Sequence, residues 1–405
     1  MDQFSTNQSP SAQHLTGGAI ESTESNHIFR AGKVVVIAAG HLTHDIFSAS
    51  LAPLLPLIIQ KLSLSLTLAG TLASFQQLPS LIDPLLGVLA DRGRLRWLVL
   101  LAPAITAGGM CLIGVAPTYT MLALLLITVG FSTAIWHTST PALVASTSAH
   151  QVGQGMSIFM VGGSLGYTLG PLIAVTAVSW WGLEGIWRLF PIALVATSLL
   201  FWQIRNLEGF QPNQNVVNGS WSDSWQVLRR VMLLVIGILI TQGFLQVAFG
   251  TYLPTFLASQ GTSLWLAGAS LSIFELAGVP GTFLVGVMSD RMNRRKLLLI
   301  ASMALPFLVF GFLSAGGWLR IAILLVFGFF AISINPVLMA LIQEYSHQRP
   351  ATANGLYFAT MFASRSLIII LFGALADHFG LRPAFYGCAL LAFLALPFVW
   401  FLPEA

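Results

Sequence analysis

The sequence predicts an all-α membrane protein of twelve transmembrane helices, arranged as two pseudo-symmetric six-helix bundles. Three observations lead there. Of 405 residues, 56% are hydrophobic and only 8% charged, with a mean hydropathy of +0.82, whereas soluble domains carry about 25% charged residues. The apolar residues fall in long continuous runs, and short motifs of the first half return in the second at a nearly constant spacing. A surface with so few ionic groups must face lipid, where helices satisfy their own backbone hydrogen bonds. An outer-membrane barrel would instead alternate polar and apolar positions along short strands.

A hydrocarbon core of about 30 Å needs about 20 apolar residues per span. Six segments qualify before residue 207: 34–60, 67–90, 97–116, 119–145, 154–179 and 187–206. Six more follow: 230–257, 264–289, 297–316, 319–342, 352–376 and 383–402. This divides the chain into a cytoplasmic tail (1–30), an N-terminal bundle (31–206), a cytoplasmic linker (207–228) and a C-terminal bundle (229–405). The tail is rich in Ser, Gln, Asn and Thr and reads as disordered. It has neither the basic start nor the apolar stretch of a signal peptide. Cys111 and Cys388 each lie in an apolar run and read as packing residues.

The basic residues set the orientation. With the N-terminus in the cytoplasm, thirteen fall inside: Arg30, Lys33, Arg92, Arg94, Arg96, Arg205, Arg229, Arg230, Arg291, Arg294, Arg295, Lys296 and Arg349. Only Lys61, Arg188, Arg320 and Arg382 fall outside. The positive-inside rule then puts both termini in the cytoplasm, in an inner or plasma membrane. The net charge of +4 thus reflects topology and does not point to nucleic acid.

The halves repeat each other. Leu55-Pro56 recurs as Leu253-Pro254, and Leu68-Ala69-Gly70 as Leu266-Ala267-Gly268, each 198 residues later. Gly87-Val88-Leu89-Ala90-Asp91-Arg92 recurs as Gly286-Val287-Met288-Ser289-Asp290-Arg291, 199 residues later, and Gly155 matches Gly355 at 200. Four matches at nearly one offset indicate parallel halves related by an axis normal to the membrane, a recurring transporter design.

Gly87-x3-Asp91-Arg92-Gly93-Arg94-Leu95-Arg96 resembles the loop signature of the major facilitator superfamily, with a second copy at Gly286, Asp290, Arg291 and Arg294. The first copy is one residue short between its Arg and Gly, and the second carries Asn293 in place of a Gly. A carboxylate ending one span can pair with loop arginines and a neighbouring helix end, forming a gate. Within the superfamily the chain resembles the fosmidomycin-resistance-type efflux group. The residues are His41-x3-Asp45, Phe75-Gln76, Phe131-x5-His137 and the span-five run from Ser157 to Leu172. In the second half they are Phe274–Gly278, Gln343-Glu344 and Asn354–Tyr357. The resemblance implies proton-coupled export of small compounds and leaves the substrate open.

Charges inside spans cost about 2.5–3.5 kcal/mol each, so they mark partners, cavities or function. His41 and Asp45 share a helix face one turn apart, and an imidazole beside a buried carboxylate can exchange protons near neutrality. They are the proton-coupling candidates, with Asp83 as a rival, since Pro84 beside it opens the helix ladder. His44 is expected to point away from that face and to serve packing or interhelical bonding. Gln76, His137, Glu275, Arg365, Gln242 and Gln246 are the substrate-cavity candidates. Arg365 calls for a carboxylate such as Glu275, or for an anionic substrate. Gly162, Gly166 and Gly170, followed by Pro171, give span five a flat face for close helix approach, and Gly170-Pro171 resembles the antiporter motif of drug exporters.

No nucleotide-binding loop and no Cys/His metal cluster stand in the sequence. The expectation is a monomeric, cofactor-free secondary transporter driven by a proton gradient, an antiporter exporting small organic compounds. Proton-coupled uptake of a small anion is the alternative, and a membrane-embedded sensor or enzyme the remoter one.

Overall fold

The computed structural model describes residues 30–91, 96–148, 151–205, 221–289, 291–345 and 350–403. Within them the chain is helical throughout. Span one is α1 (Ala31–Ser48) with α2 (Leu51–Leu62), and span two is α3 (Leu66–Gln77), a 3-10 turn (Leu78–Ile82) and α4 (Asp83–Asp91). Spans three to six are α5 (Arg96–Leu112), α6 (Tyr119–Thr147), α7 (Val152–Trp181) and α8 (Phe190–Ile204). Span seven is α9 (Trp221–Val247), a π turn (Ala248–Tyr252) and α10 (Leu253–Ser259). Then come α11 (Leu264–Ser289), α12 (Arg294–Ser314), α13 (Gly317–Tyr345), α14 (Pro350–Phe379), and α15 (Leu381–Ala392) with α16 (Ala395–Trp400). Ten of the described segments are long and apolar enough to cross a membrane.

Prolines explain the breaks in spans one, two and seven. Pro53 lacks the N–H that would bond the Ala49 carbonyl, and α1 ends there. Pro84 does the same to Ser80 in the 3-10 turn, and Pro254 to Gly250 in the π turn. Helix α9 starts at Trp221, inside the stretch expected to be linker. Trp221–Leu228 is polar enough to read as loop, yet it continues the first turns of the span. Of the remaining linker, residues 206–220 lie outside the described residues, as does the tail before Arg30.

The duplication is visible in the backbone. Ser63 (φ 50°) and Gly261 (φ 84°) end the first span of each half in the left-handed region. Gly182 (φ 71°) and Gly380 (φ 87°) do so after the fifth, and both pairs are 198 residues apart. Ser65 Oγ accepts the Leu68 N–H at 3.1 Å, and Ser263 Oγ the Leu266 N–H at 3.4 Å, so the following helices are capped alike.

Within the halves, α1 packs on α7 and α11 on α13; between them, α3 packs on α14 and α7 on α11. Phe249 anchors the C-terminal core among Phe274, Phe312, Phe327 and Phe385. Cys111 and Cys388 are free and buried. The opposite faces keep Leu124, Ile192, Trp202, Leu233 and Phe283 exposed, as a lipid-facing exterior requires.

Candidate functional site: a buried carboxylate beside a central cavity

The site begins with the glycines of α7. A Cβ on Gly162 would lie 2.3 Å from the Ala38 carbonyl oxygen, and one on Gly170 would lie 2.5 Å from that of Ile46. Neither contact is tolerable, so only glycine permits this approach of α7 to α1. Gly163 and Gly166 face the functional side chains: their Cβ atoms would meet His41 Cε1 at 2.4 Å and Asp45 Cβ at 2.6 Å. The close approach leaves Asp45 only 1% exposed.

Three histidines surround that carboxylate. His44 Nδ1 donates to Asp45 Oδ1 at 2.8 Å, His41 Nε2 stands 3.1 Å from Oδ2, and His137 Nε2 reaches Oδ1 from α6 at 3.4 Å. His41 Nδ1 lies 2.8 Å from the Phe159 carbonyl oxygen. A carbonyl can only accept, so Nδ1 carries the hydrogen and neutral His41 presents its Nε2 lone pair to Asp45. Two lone pairs at that separation repel, so a proton belongs on one of the two groups. His41 stacks on Phe159 and His44 on Trp136, while His137 keeps 35% of its side chain exposed. His41, Asp45 and His137 also hold one ligand atom each within 4.8 Å of the others, a spacing that suits a small cation as well as a shared proton. The expectation that His44 points away is corrected here: it is a packing residue against Trp136, but its ring also turns back onto the neighbouring carboxylate.

Ser48, one turn beyond Asp45, opens onto a cavity of about 310 Å³ between the two halves. Gln76 bonds the Ser48 carbonyl at 2.9 Å, fixing α3 against the end of α1. Tyr167, the neighbour of Gly166, lines the cavity beside Ser48 and lies within electrostatic reach of Asp45, Glu275 and Arg365. It joins the buried carboxylate to the cavity. Gln246, Glu275 and Arg365 line the opposite wall. Gln246 donates to the Ala331 carbonyl at 2.9 Å. Glu275 and Arg365 share the cavity within electrostatic reach of each other, but among the described residues no ion pair within 4.0 Å joins them.

Other candidates stand elsewhere. His137 and Gln242 are not among the cavity-lining residues. Gln242 is buried, 2% exposed, with neither amide atom hydrogen-bonded, because its position on α9 turns it into the C-terminal core. Asp83 keeps its Oδ1 buried without a hydrogen-bond partner among the described residues. Of the gating motif, Arg92, Arg94 and Asp290 lie outside the described residues, and only the backbone of Gly87, Asp91 and Gly286 is described. Arg291 is exposed, and Arg294 pairs with Glu344, tying the start of α12 to the end of α13. Sequence reasoning missed Ser48, Tyr167, Gln77 and Asn335 as cavity residues, since a neutral polar side chain in a span carries no cost signal comparable to a charge.

Two parallel six-helix halves around a polar cavity are the architecture of a membrane transporter. The chain belongs to the Major Facilitator Superfamily, whose model matches residues 37–368. These proteins are transporters, not enzymes, and this one is a multi-pass membrane protein acting as a secondary transporter. It is 24% identical over 399 residues to the fosmidomycin resistance protein of Escherichia coli (strain K12), covering 97% of each chain. It is 23% identical over 375 residues to the MFS-type transporter YfnC of Bacillus subtilis (strain 168), covering 90% of this chain and 91% of that one. Among solved structures, a bacterial homolog of the human lysosomal transporter Spinster, inward-facing and occupied, matches with a TM-score of 0.78 at 13% identity, over 92% of this chain and 96% of that one. The D-xylose-proton symporter matches with a TM-score of 0.69 at 17% identity, over 93% and 99%. At such identities these structures establish the shared fold alone.

Proposed function

We propose that this protein is a proton-driven antiporter that exports small organic compounds across a bacterial inner membrane by alternating access. What supports this most is Asp45: a carboxylate 1% exposed, within 3.4 Å of three histidine nitrogens and one turn from a residue lining the cavity. A buried carboxylate must find a partner or a proton. If substrate and proton favour different states of the Asp45–Tyr167 side of the cavity, each weakens the binding of the other, which is the linkage an antiporter needs. The E. coli relative is named for resistance to a compound, and export is a direct route to resistance. The thirteen-to-four asymmetry of basic residues supports cytoplasmic termini, and the protein is taken to work as a monomer.

The test is transport in proteoliposomes. Once a compound panel has identified a substrate, an imposed pH gradient, without nucleotide, should drive it against its own gradient and opposite to proton flow. Accumulation in the same direction as the protons would replace export with the second reading, uptake of a small anion, which the cavity-lining Arg365 favours.

A further inference from the structure

The cavity presents polar atoms that the protein itself does not satisfy. Gln77 Oε1 of α3, Thr133 Oγ1 of α6, Asn335 Oδ1 of α13 and Arg365 Nε of α14 are buried without a hydrogen-bond partner, and all four residues line the cavity. They come from both halves of the chain and converge on one space. Burying a polar group unpaired costs about 1–3 kcal/mol in proteins. Four around a single cavity are the imprint of a polar occupant rather than of a greasy one.

The charges sharpen this. Arg365 and Glu275 line the same cavity without an ion pair between them, although a direct pair would relieve both. The guanidinium leans towards Gly250 in the π turn of span seven, 4.0 Å from where a Cβ would stand. Phe274 and Phe362 complete that wall, and such low-dielectric neighbours strengthen the pull of a charge on a ligand. A volume near 310 Å³ lies at the small end of ligand pockets.

We infer that the cavity is built for a small amphoteric compound, whose acidic group docks on Arg365 and whose cationic or strongly hydrogen-bond-donating group docks on Glu275. The Gln77 and Asn335 amide oxygens accept from the same donor end. The inference deepens the transport reading by naming a substrate class, and it rests on this cavity being the site of the transported compound. It does not rest on the direction of transport or on proton coupling.

The test is direct binding to the purified full-length protein in detergent, with no pH gradient, so that it stands apart from any failure of the export reading. Isothermal calorimetry would use a size-matched panel of four classes: amphoteric, purely anionic, purely cationic and neutral polar compounds. The strongest binders should be amphoteric. Arg365→Gln should weaken amphoteric and anionic binders roughly tenfold to a hundredfold, the worth of a hydrogen bond to a charge. Glu275→Gln should weaken the amphoteric and cationic binders and spare the anionic ones. Arg365→Lys, which keeps the charge, should recover part of the affinity and serves as the folded control should the glutamine variant not fold. Binding confined to neutral or cationic compounds, absence of binding across the panel, or indifference to both charge-removing substitutions would overturn the inference.

Discussion

Gly166 of α7 lies directly against Asp45 of α1: a Cβ on the glycine would sit 2.6 Å from the Asp45 Cβ and 2.9 Å from the Leu42 carbonyl oxygen. The small-residue face of α7 and the carboxylate of α1 are therefore one device, in which the glycine lets the helix close over the acid. Gly166→Ala should force α1 and α7 apart and lower thermal stability by the cost of overpacking, about 1–3 kcal/mol. Gly32→Ala, where nothing lies within 4 Å of the added atom, is the control and should leave the unfolding temperature in place. Equal unfolding temperatures for the two variants would contradict the packing account.

The histidines around Asp45 should separate by role. His44 is fully buried, stacks on Trp136 and donates to Oδ1, so His44→Phe keeps the stack and removes a hydrogen bond to a buried carboxylate. A stability loss of about 1.5–3 kcal/mol is expected. His137, with 35% of its side chain exposed, is the histidine through which the cluster meets its surroundings. His137→Phe should fold normally yet slow proton-driven transport several-fold. Thermal unfolding beside initial transport rates checks both, and the opposite pattern would exchange the roles.

Asp377, at the end of α14, grips the start of α3 across the two halves. Its carboxylate accepts from the Leu66 N–H at 2.7 Å, the Thr67 N–H at 2.9 Å and the Thr67 hydroxyl at 2.6 Å. Tyr252 adds a bond to the Leu66 carbonyl at 3.1 Å. A carboxylate on the exposed N–H groups of a helix start acts as a cap supplied from the partner bundle. Asp377→Ala should loosen this end by about 1–2 kcal/mol, a shift of roughly fivefold to thirtyfold towards a state open there. Spin labels on cysteines at Pro117 and Gly316, in the loops on either side, should report a larger population of long distances. An unchanged distribution would remove Asp377 as a clasp.

Orientation is tested in a background with Cys111 and Cys388 replaced by alanine. Cysteines at Ser220 and Gly182 should react with an impermeant reagent from opposite sides of the membrane, Gly182 from the outside. Labelling from the same side would contradict the topology.

The fold was legible because its cause is compositional. Lipid dictates helices, and the 198-residue repeat that relates Leu55-Pro56 to Leu253-Pro254 relates Ser63 to Gly261 in the backbone as well. The core of the site was legible for the same kind of reason: His41 and Asp45 share a face by helical periodicity alone. What sequence could not supply was the packing between helices. The helix wheel turns His44 away from the His41–Asp45 face, yet its ring reaches Oδ1 of the adjacent Asp45 while His41 meets Oδ2. Tyr167, Gln77 and Asn335 enter the cavity only once α3, α7 and α13 take their places around it. Glu275 and Arg365 were expected to pair, and their placement on α11 and α14 instead leaves both facing the cavity.

The central claim is that protons couple through Asp45. Its geometry with His41 demands one proton between them, and the shape-conserving Asp45→Asn supplies a permanent one: the amide can donate to His41 Nε2 as a protonated acid would. The decisive measurement is substrate accumulation in proteoliposomes under an imposed pH gradient, with downhill substrate exchange measured in parallel. Asp45→Asn should abolish accumulation while exchange stays within a few-fold of the unsubstituted protein. If Asp45→Asn still builds a substrate gradient from the pH gradient, coupling lies at another group, and the cluster around Asp45 is structural.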